Sequence, residues 1–407
     1  MRIQISFRNF IPTIIGILPF LSQYRIPWIN LNLGLLMVLL ISSWGLINMI
    51  YTRSFINWLP GIVYLVIGYL LVNVIVTSEG LVKLIIFLYG IIPIMWLCNN
   101  GLIDIQKIER TIIVVSVLAS IVVFVQYFTY YGFGLTLTTG RVMLPLSSFL
   151  ESSEYLETSM LSGALFRPAG FFLEPAHFIQ YALVAVIIIQ FQNFRSNKLV
   201  LDSKAVVISV GCILTTSGMG LVLTPAIWVY YIIAKKGFSK KKLFAILAGI
   251  MVVVLVISFL SKTSFFNLTI ERLLGSGNST ESAFIGRMYT SYFLEELSGL
   301  SKVIGTGFQN VPIYSGTYRT GAEYYMTGIV ELQYSVGIIG TVLTILLILY
   351  FVINRKNEQR IIAGFFLILI FIAARIKLVD FVFYGSLVYR VTQYKQQKLW
   401  SRKDESW

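Results

Sequence analysis

The chain has 407 residues, of which 57% are hydrophobic and 12% charged, and its mean hydropathy is +0.81. A soluble domain carries about 25% charged residues, so this composition excludes an ordinary soluble enzyme and predicts an all-α, polytopic integral membrane protein. The formal net charge of +14 fits basic cytoplasmic loops better than nucleic-acid binding, and one histidine with two cysteines argues against a zinc site or a disulfide framework.

Apolar stretches near the membrane-spanning length of about 20 residues recur along the chain. They lie at about 10–22, 30–50, 57–77, 81–98, 111–131, 171–191, 205–217, 219–234, 243–261, 327–352, 360–374 and 377–389. The first follows Arg2 and Arg8 without a small-residue cleavage site, so it predicts an uncleaved span. The last begins with Lys377 and Asp380, which leaves eleven spans as the alternative to twelve.

The loops between these stretches predict the orientation of the chain, because basic residues favour the cytoplasmic side. Basic residues cluster in alternate loops: Lys107, Arg110, Arg195, Lys198, Lys204, Lys235, Lys236, Lys240, Lys241, Lys242, Arg355, Lys356 and Arg360. With twelve spans both termini are cytoplasmic. The whole chain, 1–407, is predicted to be one membrane domain with two long extracytoplasmic loops, about 132–170 and 262–326.

Arginine dominates the basic residues of these two outer loops, where lysine is scarce. The arginines are Arg141, Arg167, Arg272, Arg287 and Arg319. A guanidinium group binds phosphate or carboxylate through two hydrogen bonds at once, so the loops are predicted to handle an anionic ligand outside the membrane. The alternative is that these arginines pair with nearby glutamates and only fold the loops.

The densest group of reactive side chains lies between Arg167 and Phe178, where the first outer loop enters a span. Pro175 suits the first position of a helix, which places Glu174 at the cap or just before it and His177 in the first turn. The helix N-terminus favours ionised Glu174 and neutral His177. Either is then a candidate general base, and Arg167 with the helix end could bind phosphate. The alternative is a capping carboxylate and an interfacial histidine.

Gln180 and Tyr181 follow His177 by three and four positions, so they share its helical face and are predicted to line the same cavity. Thr215-Thr216-Ser217-Gly218 predicts a tight hairpin turn between two spans.

The second outer loop offers a weaker pattern. Gly305-Thr306-Gly307-Phe308 predicts a turn and implies no phosphate loop. Glu323, Tyr324 and Tyr325 follow Arg319 directly before a span and are predicted to contact sugar, although an interfacial tyrosine belt explains the tyrosines equally well. Glu331 lies inside that span, where a carboxylate needs a polar cavity or a partner.

The stretch RPAGFFLEPAHFIQY, Arg167 to Tyr181, resembles the R-x-x-G-x-x-x-E-P-x-H-F signature of Wzy-type polymerases of O-antigen and capsular polysaccharide. The later order is similar too: Gly286-Arg287 precedes Gly305-Thr-Gly-Phe, and a span with Gly337-Ile-Ile-Gly340 follows. The turn at Thr215–Gly218 also resembles that family's hairpin.

The resemblance implies a multi-pass glycosyltransferase of the bacterial cytoplasmic (inner) membrane, acting on its outer face. Its donor and acceptor would be undecaprenyl-pyrophosphate-linked glycans, polymerised into lipopolysaccharide O-antigen or capsule. Arg167, Arg287 and also Arg319 would bind the pyrophosphate, and Glu174 and His177 would be the catalytic residues. A chain-length regulator, a flippase and membrane lipid are the implied partners. No DxD-like motif lies outside, so no metal and no cofactor are expected.

Two other functions fit parts of the pattern. An O-antigen ligase shares the architecture and the outward arginines. A polysaccharide flippase or other transporter places charge near the middle of its spans, whereas most of the charge outside the basic loops lies here in two outer loops. The sequence therefore favours the polymerase.

Overall fold

The computed structural model describes residues 2–24, 26, 31–52, 61–137, 161–162, 165–192, 201–234, 292–295, 297–310, 328–353 and 378–387. These residues are almost entirely helical. The helices are α1 (Arg2–Leu21), α2 (Leu33–Tyr51), α3 (Gly61–Thr77), α4 (Leu81–Asn99), α5 (Ile105–Phe133), α6 (Pro175–Gln192), α7 (Ser203–Leu214), α8 (Gly218–Ala234), α9 (Tyr292–Glu295), α10 (Leu300–Ile304), α11 (Gly328–Ile353) and α12 (Leu378–Leu387). One short antiparallel pair, β1 (Leu161–Ser162) and β2 (Leu165–Phe166), precedes α6.

The apolar stretches that fall on described residues are helices, so the all-α prediction is confirmed there apart from the small β pair. The stretches at 243–261 and 360–374 lie outside the described residues. Among the described residues, four helices are long and apolar enough to cross a membrane: Leu33–Tyr51, Leu81–Asn99, Ile105–Phe133 and Gly328–Leu347. The other apolar helical segments of the described residues, such as Phe10–Leu21 and Gly61–Thr77, have 10–17 residues. The number of spans, eleven or twelve, stays a prediction.

The chain divides into two compact units. The first contains Met1–Ser22, Trp28–Glu109 and Gly286–Trp407, and the second contains Gln23–Pro27 and Arg110–Ile285. Each unit therefore combines segments that are distant in sequence, and each has its own packing.

Small residues let the helices of the first unit approach closely. The Ser42 hydroxyl of α2 donates to the Gly90 carbonyl of α4 at 2.8 Å. A Cβ atom on Gly45 would lie 2.9 Å from Pro93 Cβ, so this position has no room for a larger residue. Close approach through glycine and serine is typical of helix pairs in membranes.

Helix α11 of the first unit is interrupted at Gly337, which has φ 66° and ψ −173°. This backbone conformation is essentially restricted to glycine. The predicted span at 327–352 is therefore two helical pieces. The carbonyl groups that end the first piece lose their partners in the helix and need other donors.

Donors from elsewhere in the first unit satisfy these carbonyls. The backbone N–H groups of Thr306 and Gly307 donate to Tyr334 at 3.0 Å and to Ser335 at 3.1 Å. The Tyr69 hydroxyl donates to Val336 at 2.7 Å. The Gly305–Phe308 segment thus packs against the break in α11, and the N–H groups of Gly305, Thr306 and Gly307 donate to backbone carbonyls.

The second unit is built around α6. Its residues from Phe178 to Ile189, Gln180 excepted, are buried, as expected for a helix that is apolar on all sides. Helices α7 and α8 pack against it, and the turn at 215–217 joins them as a hairpin, which confirms that prediction. Helix α7 has 12 residues, so it is about 18 Å long, shorter than the hydrocarbon core of about 30 Å.

Candidate functional site

The N-terminus of α6 carries the predicted catalytic residues. The helix begins at Pro175, and the Glu174 carbonyl accepts the first helical hydrogen bond from Phe178 N at 3.2 Å. Glu174 is therefore the N-cap and His177 lies in the first turn, as predicted from the position of the proline. Both side chains are half-buried, which leaves each of them some accessible surface.

A single glutamine holds the chain before this helix. The Gln126 Oε1 atom on α5 accepts from Ala169 N at 3.2 Å and from Gly170 N at 2.8 Å. Its Nε2 atom donates to the Gly170 carbonyl at 2.9 Å. Gln126 is 0% exposed. The side-chain amide thus pairs with the loop backbone as a neighbouring strand would.

Two further features shape the same loop. Gly170 has φ 65°, and a Cβ atom there would lie 2.9 Å from the Ala119 carbonyl oxygen, so both conformation and space require glycine. The Leu173 N–H donates to Gln23 Oε1 at 2.6 Å, although the two residues are 150 positions apart. The loop is therefore anchored on both sides of Phe172, directly before Glu174.

Aromatic side chains fix the start of the loop. The Phe166 ring stacks on Tyr130 of α5, with centroids 4.4 Å apart and planes at 19°. The Tyr131 hydroxyl hydrogen-bonds with the backbone of Phe166. Because Arg167 follows Phe166 directly, the C-terminal end of α5 determines where the arginine leaves the β pair.

Arg167, Glu174 and His177 thus belong to one anchored segment of eleven residues, 167–177. The Arg167 side chain is half-buried, and its Nε atom is buried. The Nδ1 atom of His177 is buried as well. A guanidinium group, the carboxylate of an N-cap residue and an imidazole in the first helical turn supply an anion-binding group and two candidate proton acceptors.

The two predicted cavity-lining residues of α6 differ. Tyr181 is 1% exposed, and its ring lies 5.3 Å from that of Phe172. It is therefore part of an aromatic core rather than of an open wall. Gln180 is half-buried, so it keeps surface that a ligand could contact.

The remaining predicted site residues lie outside the described residues. They are Arg287, Arg319, Glu323, Tyr324 and Tyr325. Glu331 is described: it lies in the first turn of α11 and lines a small, mostly apolar pocket with Phe308, Gln309 and Phe381. Within the described part of the chain, His, Cys, Asp and Glu form no group of three or more that could hold a metal ion.

Gln126 and Gln23 are the site residues that the sequence interpretation missed. Gln126 stands within the apolar run of α5, between Val125 and Tyr127. A polar side chain inside a predicted span needs a partner there, so this glutamine carries a readable signal. Its partner is the backbone of Gly170, 44 positions away, and no feature of the sequence marks that backbone as its partner.

No family model, curated protein or solved structure matches this chain.

Proposed function

We propose that the protein is a membrane glycosyltransferase that polymerises undecaprenyl-pyrophosphate-linked oligosaccharide repeats into O-antigen or capsular polysaccharide. It acts on the outer face of the bacterial cytoplasmic membrane. The observation that carries the proposal is the anchored segment 167–177, which holds an arginine, the N-cap glutamate of α6 and a histidine of its first turn.

The reaction explains why these residue types occur together. A hydroxyl of the acceptor sugar attacks the anomeric carbon of the donor glycan, and the bond from that carbon to the pyrophosphate oxygen breaks. Glu174 or His177 accepts the hydroxyl proton. Arg167 and the helix N-terminus stabilise the departing pyrophosphate. No residue is required to form a covalent intermediate in this scheme.

The apolar helices support a lipid-linked substrate. A donor and an acceptor held by polyprenyl chains remain in the bilayer, so the enzyme must present its site at the membrane surface. Helices of spanning length, such as Leu81–Asn99 and Ile105–Phe133, fit such an enzyme.

One observation favours a second candidate, a transporter of lipid-linked glycan. Interrupted helices often form substrate or ion sites in transporters, and α11 is interrupted at Gly337. However, the carbonyls of Tyr334, Ser335 and Val336 at the break accept hydrogen bonds from other segments. They serve the packing of the protein, which weakens the case for an ion site.

The proposed function is tested by deleting the gene in its host and measuring surface glycan and lipid-linked intermediates by gel electrophoresis and mass spectrometry. If the protein is a polymerase, the deletion should reduce surface glycan to a single repeat or leave single lipid-linked repeats on the outer face. Long lipid-linked polymer without its final acceptor indicates an O-antigen ligase, and single repeats confined to the inner face indicate a transporter. Either result overturns the polymerase.

Complementation with variants then tests the site. Arg167→Ala should abolish polymer at a normal protein level, because the pyrophosphate loses its cation. Arg110→Ala is the matched control, since Arg110 is an exposed arginine of α5 outside the segment. Wild-type chain length with Arg167→Ala would remove this residue from the mechanism.

A further inference from the structure

We propose that Gln126 is a positioning residue, whose amide places Arg167 and Glu174 for the reaction. This inference rests on the proposed function and adds to it a residue of α5 that touches neither sugar nor phosphate. The evidence is the set of three hydrogen bonds between one buried side chain and the backbone of Ala169 and Gly170.

The loop backbone is only partly bonded within the loop, where the Ala169 carbonyl accepts from Phe172 N at 3.1 Å, and Gln126 bonds three further backbone groups. Ala169 and Gly170 lie between β2 and α6, in neither a strand nor a helix, and both are buried. Buried N–H and C=O groups require partners. The Gln126 amide supplies the acceptor for the two N–H groups and the donor for the Gly170 carbonyl. Because Gln126 lies well inside α5, the helix fixes the position of this amide.

The anchor lies between the two reactive residues. Arg167 is two positions before Ala169, and Glu174 is four positions after Gly170. A displacement of about 1 Å in a reacting group can reduce a rate about 100-fold. Release of this loop would therefore weaken the reaction even if the protein stayed folded.

The variant Gln126→Glu distinguishes a positioning role of this side chain from a general loss of protein structure. A protonated carboxyl group has one acceptor oxygen and one O–H donor, like the amide, whereas an ionised carboxylate only accepts. Gln126→Glu should therefore keep all three hydrogen bonds when protonated. When ionised, it should lose the donor to the Gly170 carbonyl and face that oxygen with a negative charge.

Other titratable groups lie on the segments around Gln126. They are Arg167, Glu174 and His177 on the anchored segment, Tyr127, Tyr130 and Tyr131 on α5, and Tyr181 on α6. Because they are present in the parent protein as well, the ratio of variant to wild-type activity at each pH removes their common contribution.

The experiment uses the full chain in proteoliposomes with lipid-linked repeat as substrate, from about pH 5 to about pH 8. Polymer formed per folded molecule is compared for wild type, Gln126→Glu, Gln126→Leu and Gln190→Glu. Gln190 is a matched control: it is also buried, at 3% exposed, but lies 13 positions after His177 along α6. Hydrogen exchange of the 166–174 peptide is measured in parallel.

The expected result is a Gln126→Glu to wild-type ratio near one at low pH that falls about tenfold as the pH rises, with faster exchange of the 166–174 peptide. Gln126→Leu should be weak throughout, and Gln190→Glu should show no such pH dependence. A Gln126→Glu ratio that stays flat at a value well below one, or full activity of Gln126→Leu, overturns the positioning role while leaving the proposed function intact. A wild-type protein that forms no polymer under any condition overturns both.

Discussion

Replacing Asn73 by leucine should loosen the crossing between α10 and the interrupted helix α11. Asn73 is 0% exposed. Its Nδ2 atom donates to the Ile304 carbonyl at 2.6 Å and, over a longer 3.4 Å, to the Ser335 carbonyl. Leucine is similar in size but donates nothing, so the change tests the hydrogen bonds with little change in packed volume.

The expected loss of folding free energy depends on which hydrogen bonds the Ser335 and Ile304 carbonyls retain in the variant. Ser335 still accepts from Gly307 N at 3.1 Å, whereas Ile304 keeps only the Tyr69 hydroxyl at 3.4 Å. A buried acceptor left unsatisfied costs about 1–3 kcal/mol. Asn73 Oδ1 is itself buried without a hydrogen-bond partner, and its removal offsets part of this cost. The net loss should therefore be about 1–2 kcal/mol.

Unfolding of the purified protein in detergent, by heat or denaturant, measures this loss. Asn48→Leu is the matched control, because Asn48 Nδ2 donates at 2.7 Å to the Trp44 carbonyl of its own helix. That variant should stay within about 0.5 kcal/mol of wild type. Hydrogen exchange of the 300–310 peptide should rise in Asn73→Leu alone. Equal stability of the two variants, with unchanged exchange at 300–310, would refute the role of Asn73.

Three further changes test other parts of the structure. Gly337→Ala should destabilise the protein by more than about 2 kcal/mol in the same unfolding assay, because φ 66° is strained for alanine and the added Cβ would overlap the Val303 carbonyl oxygen. The control Gly61→Ala, whose Cβ would meet nothing within 4 Å, should not be destabilised, and equal effects of the two changes would contradict this explanation. Thr216→Gly should raise the free energy of unfolding by about 1 kcal/mol, since Thr216 has φ 51° and its buried hydroxyl has no hydrogen-bond partner. A lower melting temperature of the variant would show that the threonine side chain stabilises the turn. His177→Ala should reduce polymer formation at least about 100-fold if His177 is the general base, and full chain length on glycan gels would assign this role to Glu174 instead.

The sequence predicted the helices well because their signals are local. A run of apolar residues such as 81–98 favours a membrane-spanning helix whatever segment packs next to it, and α4 covers Leu81–Asn99. The start of α6 was equally predictable, since proline is favoured at the first position of a helix and Glu174 stands directly before Pro175. The proximity of Arg167, Glu174 and His177 along the chain was also evident from the sequence.

Contacts between distant segments were not predictable in this way. Gln126 meets the loop 44 positions away, and Asn73 meets Ile304 231 positions away. Each pairing depends on how the helices pack, because backbone groups of many loops offer the same donors and acceptors. The sequence marks these residues only as polar side chains within apolar runs, without naming their partners.

Sequence alone therefore determined where the apolar helices lie and that a reactive segment begins α6, because hydropathy and proline geometry act within a few neighbouring residues. Only the tertiary structure decided that Tyr181 belongs to the core, that Gln126 anchors the reactive segment, and that α11 breaks at Gly337. The physical reason is that burial and hydrogen bonding are properties of packed segments, and a buried backbone group selects its partner from whichever helix the fold brings beside it.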